Sequence, residues 1–362
     1  MLQNSKKKIC IIVDCLSGGG AEKQAANFSK SLHKYGFEVA IISLKDQITY
    51  KYEGELYNLG ANESSIKIIK QIQKFFAFKK AYKKCNADIY IDFRSRSRFV
   101  MEYLLHKCIF EAKKMVMMVH SYHIKWHIPK GKLFKKIYNN THSVVAVSEA
   151  IEEKLNQVYG FENQVHIPNY ITTDKPEEIT TLDTQNEYVI AVGRLQNDIK
   201  QFDRLIETYH ASKLAEKNIK LFICGDGDDK KSLEKLISKL QLQADVKLLG
   251  FVENVATYIK NAKYLVLSSR VEGFPMVLIE ALQQQTPVIA FDCKSGPSEI
   301  IQQKTNGLLV EDQNFANLKD AMLLLIENID LYMNCKQNAV SSITKFTEQP
   351  IIQRWIQLIT TE

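Results

Sequence analysis

The stretch VEGFPMVLIEA, residues 271–281, decides how the second half of this chain is organised. An apolar, strand-like run precedes it, Gly273 and Pro275 mark a turn, and good helix formers follow Pro275. Proline is favoured near the first position of a helix. We therefore expect a strand, a turn and a helix, with Glu272 just before the helix and Glu280 inside it.

A helix that opens after a strand offers a binding site for an anion, because the N–H groups of its first turn lack intrahelical partners. At about 1.5 Å of rise per residue, Glu280 lies roughly one and a half turns below that opening. Such an opening suits the diphosphate of a nucleotide-linked sugar. The two carboxylates around it suit the hydroxyls of the sugar and of the ribose. The two glutamates alone would be weak evidence, because exposed glutamates are usually only solvated surface.

A second segment, AVGRLQNDIKQFD at residues 191–203, supplies the matching cations. An apolar strand ends at Gly193 and Arg194, and Lys200 follows just before an amphipathic helix. Open α/β sheets bind ligands at the carboxyl ends of their strands. We therefore expect Arg194 and Lys200 to stabilise the charge that develops on a leaving diphosphate.

These motifs resemble those of the retaining glycosyltransferases of family four, which have the two-domain GT-B fold. The resemblance spans nearly the whole chain, and its most specific element is the pair formed by Glu272 and Glu280. Five further segments carry the resemblance: GRLQNDIK at 193–200, CGDGDD at 224–229, LLGFVEN at 248–254, SGGGAE at 17–22 and VSE at 147–149. Each motif is modest by itself, but together they are strong evidence.

The resemblance implies an α/β fold of two Rossmann-like domains, whose mainly parallel sheets face each other across a cleft. Residues 1–170 would form the acceptor-binding domain, residues 171–345 the nucleotide-sugar-binding domain, and residues 346–362 a helix that returns to the first domain. Apolar runs alternate with helical patterns, which is typical of parallel βαβ units. We predict strands at residues 9–14, 37–44, 88–92, 115–119, 143–147, 187–193, 219–224, 246–249, 264–268, 287–291 and 307–310. The polar, Thr-rich stretch 170–187 is the expected linker.

The resemblance also implies roles for individual residues. The expected catalytic residues are Arg194, Lys200, Glu272 and His120. Glu272 would hold sugar hydroxyls. His120 ends an apolar strand and would contact the donor sugar. Glu280 would bind the ribose. The other expected substrate-binding residues are Gly18, Gly19, Gly20, Gly225, Gly227, Phe251, Gly273, Phe274, Pro275, Met276 and Val277.

The implied reaction is sugar transfer with retention at the anomeric carbon, without a cofactor or a metal ion. Asp226, Asp228 and Asp229 imitate a D-x-D metal motif, but in this family that turn approaches the nucleotide. Arg194 and Lys200 would replace the metal. UDP is the commonest donor nucleotide in the family. The GGAE opening resembles members that add hexose or N-acetylhexosamine units to lipid-linked oligosaccharides and bacterial cell-surface polysaccharides.

Composition favours a large cytoplasmic enzyme. The 362 residues, 45% of them hydrophobic, suit two domains of about 150 to 190 residues. The seven cysteines are odd in number and form no C-x-x-C pair, so we expect reduced thiols and no disulfides. No run approaches the roughly 18 to 20 apolar residues that cross a bilayer. Any membrane contact is therefore expected to be peripheral, at the inner face of the cell membrane.

Charge is divided unevenly between the two halves. Residues 1–170 hold 27 Lys/Arg and 15 Asp/Glu, a net charge of +12, whereas residues 171–362 hold 21 and 26, a net charge of −5. A basic first half indicates an anionic acceptor or an anionic membrane surface. The helical stretch 66–84 carries seven lysines and no acid, although a solvated helix with an apolar side in the core explains it equally well. The expected acceptor-binding residues are Lys67, Lys70, Lys74, Arg94, Arg96 and Arg98.

Four other functions compete with this interpretation. Basic stretches with aromatic residues at 125–127 and 132–138 could bind nucleic acid, but no compact recognition motif accompanies them. A dinucleotide-dependent oxidoreductase is disfavoured, because the glycines at 18–20 lack the G-x-G-x-x-G spacing. A sugar-nucleotide epimerase or a non-catalytic nucleotide-sugar-binding subunit stays open, because one fold hosts several functions.

Overall fold

The computed structural model describes residues 7–61, 67–172 and 187–361, apart from the side chains of residues 67–69. Its strands are β1 (Lys8–Val13), β2 (Glu38–Ser43), β3 (Glu55–Asn58), β4 (Ile89–Asp92), β5 (Met115–Val119), β6 (Ser143–Ala146), β7 (Gln164–His166), β8 (Glu187–Val192), β9 (Ile219–Cys224), β10 (Val246–Gly250), β11 (Leu265–Leu267), β12 (Val288–Phe291) and β13 (Gly307–Val310). The expected linker lies largely outside the described residues.

Helices alternate with the strands along the chain. They are α1 (Gly20–Lys34), α2 (Lys67–Cys85), α3 (Phe99–Cys108), α4 (Lys132–Asn139), α5 (Glu149–Val158), α6 (Asn197–Lys200), α7 (Phe202–Ser212), α8 (Lys230–Lys239), α9 (Val255–Asn261), α10 (Met276–Gln283), α11 (Pro297–Ile300), α12 (Phe315–Glu327), α13 (Ile329–Ser342) and α14 (Glu348–Thr360). None of the described helices is both long enough and apolar enough to span a membrane.

The chain divides into two compact units. The N-terminal unit comprises residues up to Tyr170 together with those from Glu348 onward, and the C-terminal unit comprises Ile171–Thr347. The N-terminal sheet has seven parallel strands in the order β3-β2-β1-β4-β5-β6-β7. The C-terminal sheet has six parallel strands in the order β10-β9-β8-β11-β12-β13. Both units are Rossmann-like, as the sequence predicts.

The central strands are buried on both faces, which explains their continuous apolar runs. Every residue of Ile9–Val13 is at most 1% exposed, and the interior of β8 is buried as well. Strands in a parallel sheet covered by helices on both sides lack the alternation of half-exposed strands. The predicted strands therefore form with ends within one residue of their expected bounds.

Helix α14 belongs to the N-terminal unit, as the resemblance implies for the tail. The ring centroids of Trp355 and Phe28 in α1 lie 4.8 Å apart. Lys34 also pairs with Glu348 at 2.7 Å. The helix begins at Glu348 rather than at residue 346, because Thr344–Phe346 forms a short 3₁₀ turn that belongs to the C-terminal unit.

Candidate active site

The strand order of the C-terminal sheet reverses beside β8, between its neighbours β9 and β11. Such a reversal leaves a crevice at the carboxyl ends of the strands, because the connections leave toward opposite faces of the sheet. Arg194 follows β8, and Glu272 follows β11 by five residues. The topology therefore brings two sequence-predicted residues, 78 positions apart, to one edge of the sheet.

Lys200 and Glu272 form an ion pair at that edge. Lys200 Nζ lies 2.6 Å from Glu272 Oε1, and their side chains are 20% and 12% exposed. Lys200 is the last residue of α6, and Gln201 follows it in the left-handed conformation with φ of 55°. The pair holds a cation and a carboxylate in a half-buried position, where a diphosphate could contact the ammonium group and hydroxyl groups could donate to the carboxylate.

Two hydrogen bonds to backbone carbonyl groups of α6 fix the segments that carry this pair. Ser268 Oγ donates to the Lys200 carbonyl at 2.8 Å, and Arg270 N donates to the Ile199 carbonyl at 2.8 Å. The loop after β11 is therefore bound to α6 independently of the ion pair. The sequence analysis missed Ser268, although a buried serine directly after an apolar strand is a recognisable signal.

Glycines at the ends of β8 and β9 allow two turns to approach closely. A Cβ atom on Gly225, whose φ is +143°, would lie 1.9 Å from the Gly193 carbonyl oxygen, and one on Gly227 would lie 2.4 Å from the Leu195 carbonyl oxygen. Leu195 N also donates to the Asp226 carbonyl at 3.0 Å. Residues larger than glycine would separate the turns, so these glycines shape the sheet edge on which Arg194 lies.

The start of α10 forms as predicted. Pro275 precedes its first residue, Glu272 lies before the helix, and Glu280 lies inside it. The loop after β12 packs on this start: Ser295 Oγ donates to the Gly273 carbonyl at 2.6 Å. Phe274 and Pro275 are buried, whereas Met276 and Val277 are partly exposed. Phe274 and Pro275 therefore hold the turn in place, and the N–H groups of the first turn stay near the surface.

Two other predicted residues of this unit are exposed. Arg194 forms no hydrogen bond or ion pair through its side chain with any other described residue. Phe251, directly after β10, is 62% exposed. Both side chains are therefore available to a ligand at the carboxyl edge of the sheet.

Two of the three aspartates of the 224–229 turn accept hydrogen bonds from backbone N–H groups. Asp229 Oδ2 accepts a hydrogen bond from Asn197 N at the start of α6, at 2.7 Å. Asp226 Oδ1 accepts one from Gly227 N at 2.9 Å. Across residues 7–61, 67–172 and 187–361, no group of three or more His, Cys, Asp or Glu side chains is arranged to hold a metal ion.

In the N-terminal unit, the predicted glycine turn follows β1. Gly18 has a φ of +82°, and α1 begins at Gly20. A Cβ atom on Gly19 would lie 2.1 Å from Glu22 Oε2, whereas one on Gly20 would meet nothing within 4 Å. The Glu22 carboxylate therefore lies against the turn. This carboxylate beside the turn was not predicted from the sequence.

His120 directly follows β5, and its imidazole is held in an apolar setting. Its ring stacks on Phe93 with centroids 4.9 Å apart, and both ring nitrogens are buried without a hydrogen-bond partner among the described residues. Burial, reinforced by the charge of Arg96, lowers the pKa of His120 to about 3. The imidazole is therefore neutral at physiological pH.

The structure corrects the acceptor-binding assignment of Arg94 and Arg96. Both are buried, at 5% and 2% exposure. Arg94 donates two hydrogen bonds to Asp92, at 2.9 and 2.6 Å. Arg96 donates to the carbonyl oxygens of Asp92, Arg94, Met118 and His127. These guanidinium groups compensate a buried carboxylate and join loops, so of the three predicted arginines only Arg98 is exposed.

Although burial alone would raise the pKa of Asp92, the charges of Arg94 and Arg96 hold it below the usual value. The carboxylate is thus ionised and paired. Removing either arginine would take away one of the two cations that compensate this buried carboxylate, which is destabilising.

Helix α2 exposes part of its apolar side. Ile72 and Phe76 are 54% and 63% exposed, whereas burial begins at Phe78. Lys74 Nζ donates to the Leu44 carbonyl at 2.7 Å, and Lys70 is partly buried. The side chain of Lys67 lies outside the described part of the chain. Ile72 and Phe76 therefore do not belong to the core, whereas the side chains of Ile68 and Ile69 lie outside the described part of the chain.

Two family models together match most of the chain. The model described as "Glycosyltransferase Family 4" matches residues 18–175, and the model described as "Glycosyl transferases group 1" matches residues 172–341. Among curated relatives, the amylovoran biosynthesis glycosyltransferase of Erwinia amylovora is 26% identical, covering 97% of this chain and 99% of the relative. An α-1,4-N-acetyl-D-galactosaminyltransferase of Campylobacter jejuni that acts on a diphospho-undecaprenol-linked glycan is 28% identical, covering 97% and 98%.

Solved structures show the same fold. TarM of S. aureus, in complex with fondaparinux, α-GlcNAc-glycerol and UDP, matches with a TM-score of 0.78 at 17% identity, covering 98% of this chain and 100% of that one. The pneumococcal O-GlcNAc transferase GtfA, in complex with UDP and GlcNAc, matches with a TM-score of 0.76 at 13% identity, covering 98% and 99%. These two-domain proteins share the GT-B architecture with this chain.

Proposed function

Because the chain belongs to glycosyltransferase family 4, we propose that it moves a sugar from a nucleotide-sugar donor to a glycan acceptor with retention at the anomeric carbon. It is a glycosyltransferase of polysaccharide biosynthesis, like its named relatives.

The donor is assigned to the C-terminal unit, and the observation that carries this assignment is the Lys200–Glu272 pair at the topological switch point. Arg194 lies at the end of the adjacent strand with its guanidinium exposed. The start of α10 adds outward-pointing N–H groups. A diphosphate bound here would receive two cations and a helix N-terminus, while Glu272 accepts from sugar hydroxyls and Glu280 from the ribose.

In the proposed reaction, the bond between the anomeric carbon and the diphosphate oxygen breaks while the acceptor oxygen bonds to the same face. The acceptor proton passes to the leaving diphosphate. Arg194, Lys200 and the first N–H groups of α10 stabilise the negative charge on that group. Because these fixed charges stabilise the leaving group, no step is assigned to a metal ion or to a cofactor.

His120 keeps its proposed role as a contact to a sugar hydroxyl. A neutral imidazole can donate one hydrogen bond and accept another. Its low pKa means that it would act without adding charge to the site. The proposal therefore assigns it to orientation of the sugar rather than to proton transfer.

UDP is the favoured donor nucleotide. The structures of TarM, GtfA and the Anabaena protein HepE were each solved in complex with UDP. The Campylobacter jejuni relative is named for the transfer of N-acetylgalactosamine. We therefore favour a UDP-hexose or UDP-N-acetylhexosamine as the donor of this chain.

The acceptor is assigned to the basic N-terminal unit. Its net charge of +12 up to residue 170 favours an anionic or lipid-linked glycan. Lys67, Lys70, Lys74 and Arg98 stay the proposed contacts, and the exposed Ile72 and Phe76 add apolar surface to the same helix as the lysines. This combination supports peripheral contact with the inner face of the cell membrane.

The test is transfer of radiolabelled sugar from a panel of UDP-, GDP- and ADP-sugars to lipid-linked glycans extracted from the source cells. The proposal expects a glycan product from one donor, with the anomeric configuration of that donor. Inverted configuration would contradict the retaining mechanism. Interconversion of the nucleotide sugar without transfer would instead identify an epimerase, and donor binding without any turnover would identify a non-catalytic subunit.

A further inference from the structure

A cavity of about 630 Å³ lies within the N-terminal unit, and none of its lining residues is among those assigned to the donor. It is bounded by the 3₁₀ turn Ile124–Trp126, the start of α4 and the end of α5. Five of its lining residues are lysines, and none is an aspartate or a glutamate. These lysines, which define what we call the basic pocket, are Lys125, Lys130, Lys132, Lys135 and Lys154.

Most of this charge is uncompensated. Lys125, Lys130, Lys132 and Lys135 are exposed, and none forms an ion pair with a carboxylate in the described part of the chain. Lys154 differs, because its Nζ donates to the Tyr122 carbonyl at 2.9 Å and lies 3.6 Å from the centroid of the Tyr122 ring. A concave surface lined by one sign of charge concentrates the field and attracts counter-ions.

The start of α4 adds to the same positive field. Its first turn contains no acidic residue, although acidic residues are the ones favoured there by the partial positive charge of a helix N-terminus. Lys132 occupies the first position instead, directly after Gly131, whose φ is +120°. Gly131 and Lys132 both line the basic pocket. A bound anion would reduce the repulsion between Lys132 and the positive N-terminus of α4, because no acidic residue lies in that first turn.

The wall of the basic pocket is apolar and partly aromatic. Trp126 and Val158 are 44% and 56% exposed, and the rings of Trp126 and His123 lie 4.8 Å apart. Binding pockets typically combine such apolar walls with a few polar groups that orient the ligand. An isolated phosphate would gain nothing from Trp126, whereas a sugar ring presents an apolar face to the indole and hydroxyls to the surrounding polar groups.

We propose that the basic pocket binds an anionic saccharide, a glycan that carries phosphate, sulfate or carboxylate groups. This inference rests on the proposed function, because it gives the anionic acceptor glycan a binding site in addition to the contacts proposed at Lys67, Lys70, Lys74 and Arg98. A glycan ligand also fits the concave shape better than a bilayer does. The exposed apolar pair Ile72 and Phe76 on α2, by contrast, suits a lipid surface.

The test uses calorimetric binding of a sulfated heparin-type pentasaccharide, with uncharged maltopentaose as the matched probe. The variant Lys125→Gln/Lys132→Gln/Lys135→Gln should bind the sulfated probe about tenfold or more weakly than wild type, since three charged contacts are lost. The control Lys51→Gln/Lys107→Gln/Lys113→Gln removes the same charge from exposed positions of the same unit outside the pocket. It should bind nearly as wild type does.

A second variant separates a saccharide site from a simple anion site. Trp126→Ala should weaken binding of the sulfated pentasaccharide severalfold, while leaving the weaker binding of inorganic pyrophosphate unchanged. Thermal melting of each variant checks that it is folded. If Trp126→Ala weakened the binding of both probes equally, the indole would only hold the lysines in place. That result would overturn the saccharide assignment.

Unchanged pentasaccharide affinity in the triple lysine variant would also overturn the proposal. If that variant instead lost binding to phosphatidylglycerol vesicles or to oligothymidylate, with pentasaccharide affinity intact, the ligand of the pocket would be a membrane or a nucleic acid. Saturable UDP binding by the wild-type protein tests the proposed function separately. If UDP does not bind, but pentasaccharide binding is weakened only in the pocket variants, the proposed function is contradicted and the anionic saccharide site is supported.

Discussion

At the residue scale, burial decides which charged side chains can act on a ligand. Arg94 and Arg96 lie in an alternating Arg-Ser-Arg-Ser-Arg segment that looks like an exposed basic loop, yet the structure buries both around Asp92. A sequence pattern gives the charge of a side chain but not the partner that it finds in three dimensions. Arg194 and Lys200 differ from them, because they stay at a surface that a ligand can reach.

The low pKa of His120 leads to a prediction about its titration. Burial disfavours the imidazolium form, so His120 should stay neutral down to at least about pH 5. Proton–nitrogen correlation spectra of the histidine rings, assigned with a His120→Gln variant, measure this directly. Protonation of His120 with a midpoint near the unperturbed value of about 6.5 would contradict it.

The same shift has a consequence for stability. Below the unfolded pKa of about 6.5, the unfolded chain binds a proton that the folded chain does not. The stability of the N-terminal unit should therefore fall as the pH is lowered from about 6.5 toward the folded pKa of about 3. Replacement of His120 by glutamine should reduce that slope in urea unfolding.

At the element scale, the sequence predicts the strands that contain buried residues, including the edge strands β10 and β13. Strands β3 and β7 were missed, because each has only half-buried or exposed residues. A strand of three or four such residues produces no apolar run. The turn after β11 and the helix α10 were predictable, since Gly273 and Pro275 act through local backbone chemistry. The ion pair of Lys200 and Glu272 was not, because it depends on the strand order.

Close contact between the turns after β8 and β9 predicts a large effect of Gly225→Ala. The added methyl group would lie 1.9 Å from the Gly193 carbonyl oxygen at a φ of +143°, so the turns must separate. We expect Tm to fall by roughly 5 °C or more. Gly20→Ala is the matched control, because its methyl group enters open space at the start of a helix and should change Tm little. Equal effects in the two variants would contradict this packing argument.

The exposed apolar side of α2 predicts membrane binding through this helix. Ile72→Ser/Phe76→Ser should reduce sedimentation with phosphatidylglycerol vesicles severalfold, since the apolar area available for insertion is lost. Ile329→Ser/Val340→Ser removes comparably exposed apolar side chains from the C-terminal unit and should bind as wild type does.

Replacing Lys67, Lys70 and Lys74 by glutamine should also weaken vesicle binding at low salt and raise the acceptor KM. Unchanged sedimentation in both α2 variants would identify an ordinary solvated surface.

At the scale of the whole molecule, the two units have similar sheets but opposite charge. The chain up to residue 170 carries a net charge of +12 and the remainder −5. An anionic nucleotide sugar would therefore bind to an acidic unit, which makes its local cations more important. Arg194 and Lys200 provide positive charge at the switch point of that unit.

This arrangement predicts activity without a divalent metal. Turnover in excess EDTA should stay close to that of untreated enzyme, because fixed cations stabilise the leaving diphosphate. Dialysed enzyme assayed with and without added Mn²⁺ or Mg²⁺ provides the check. Activity that is lost in EDTA and restored only by the metal would contradict the proposed role of Arg194 and Lys200.

The most direct test of the central claim is acceptor-independent hydrolysis of a UDP-sugar panel by wild-type enzyme, Arg194→Ala and Lys200→Ala. Lys235→Ala, which removes an exposed lysine of α8, serves as the control. The account predicts saturable hydrolysis of one donor by wild type and by the control. In the two active-site variants, the hydrolysis rate should fall by at least about a hundredfold, with each protein still folded. Near-wild-type turnover in both variants would contradict the assignment of the diphosphate site.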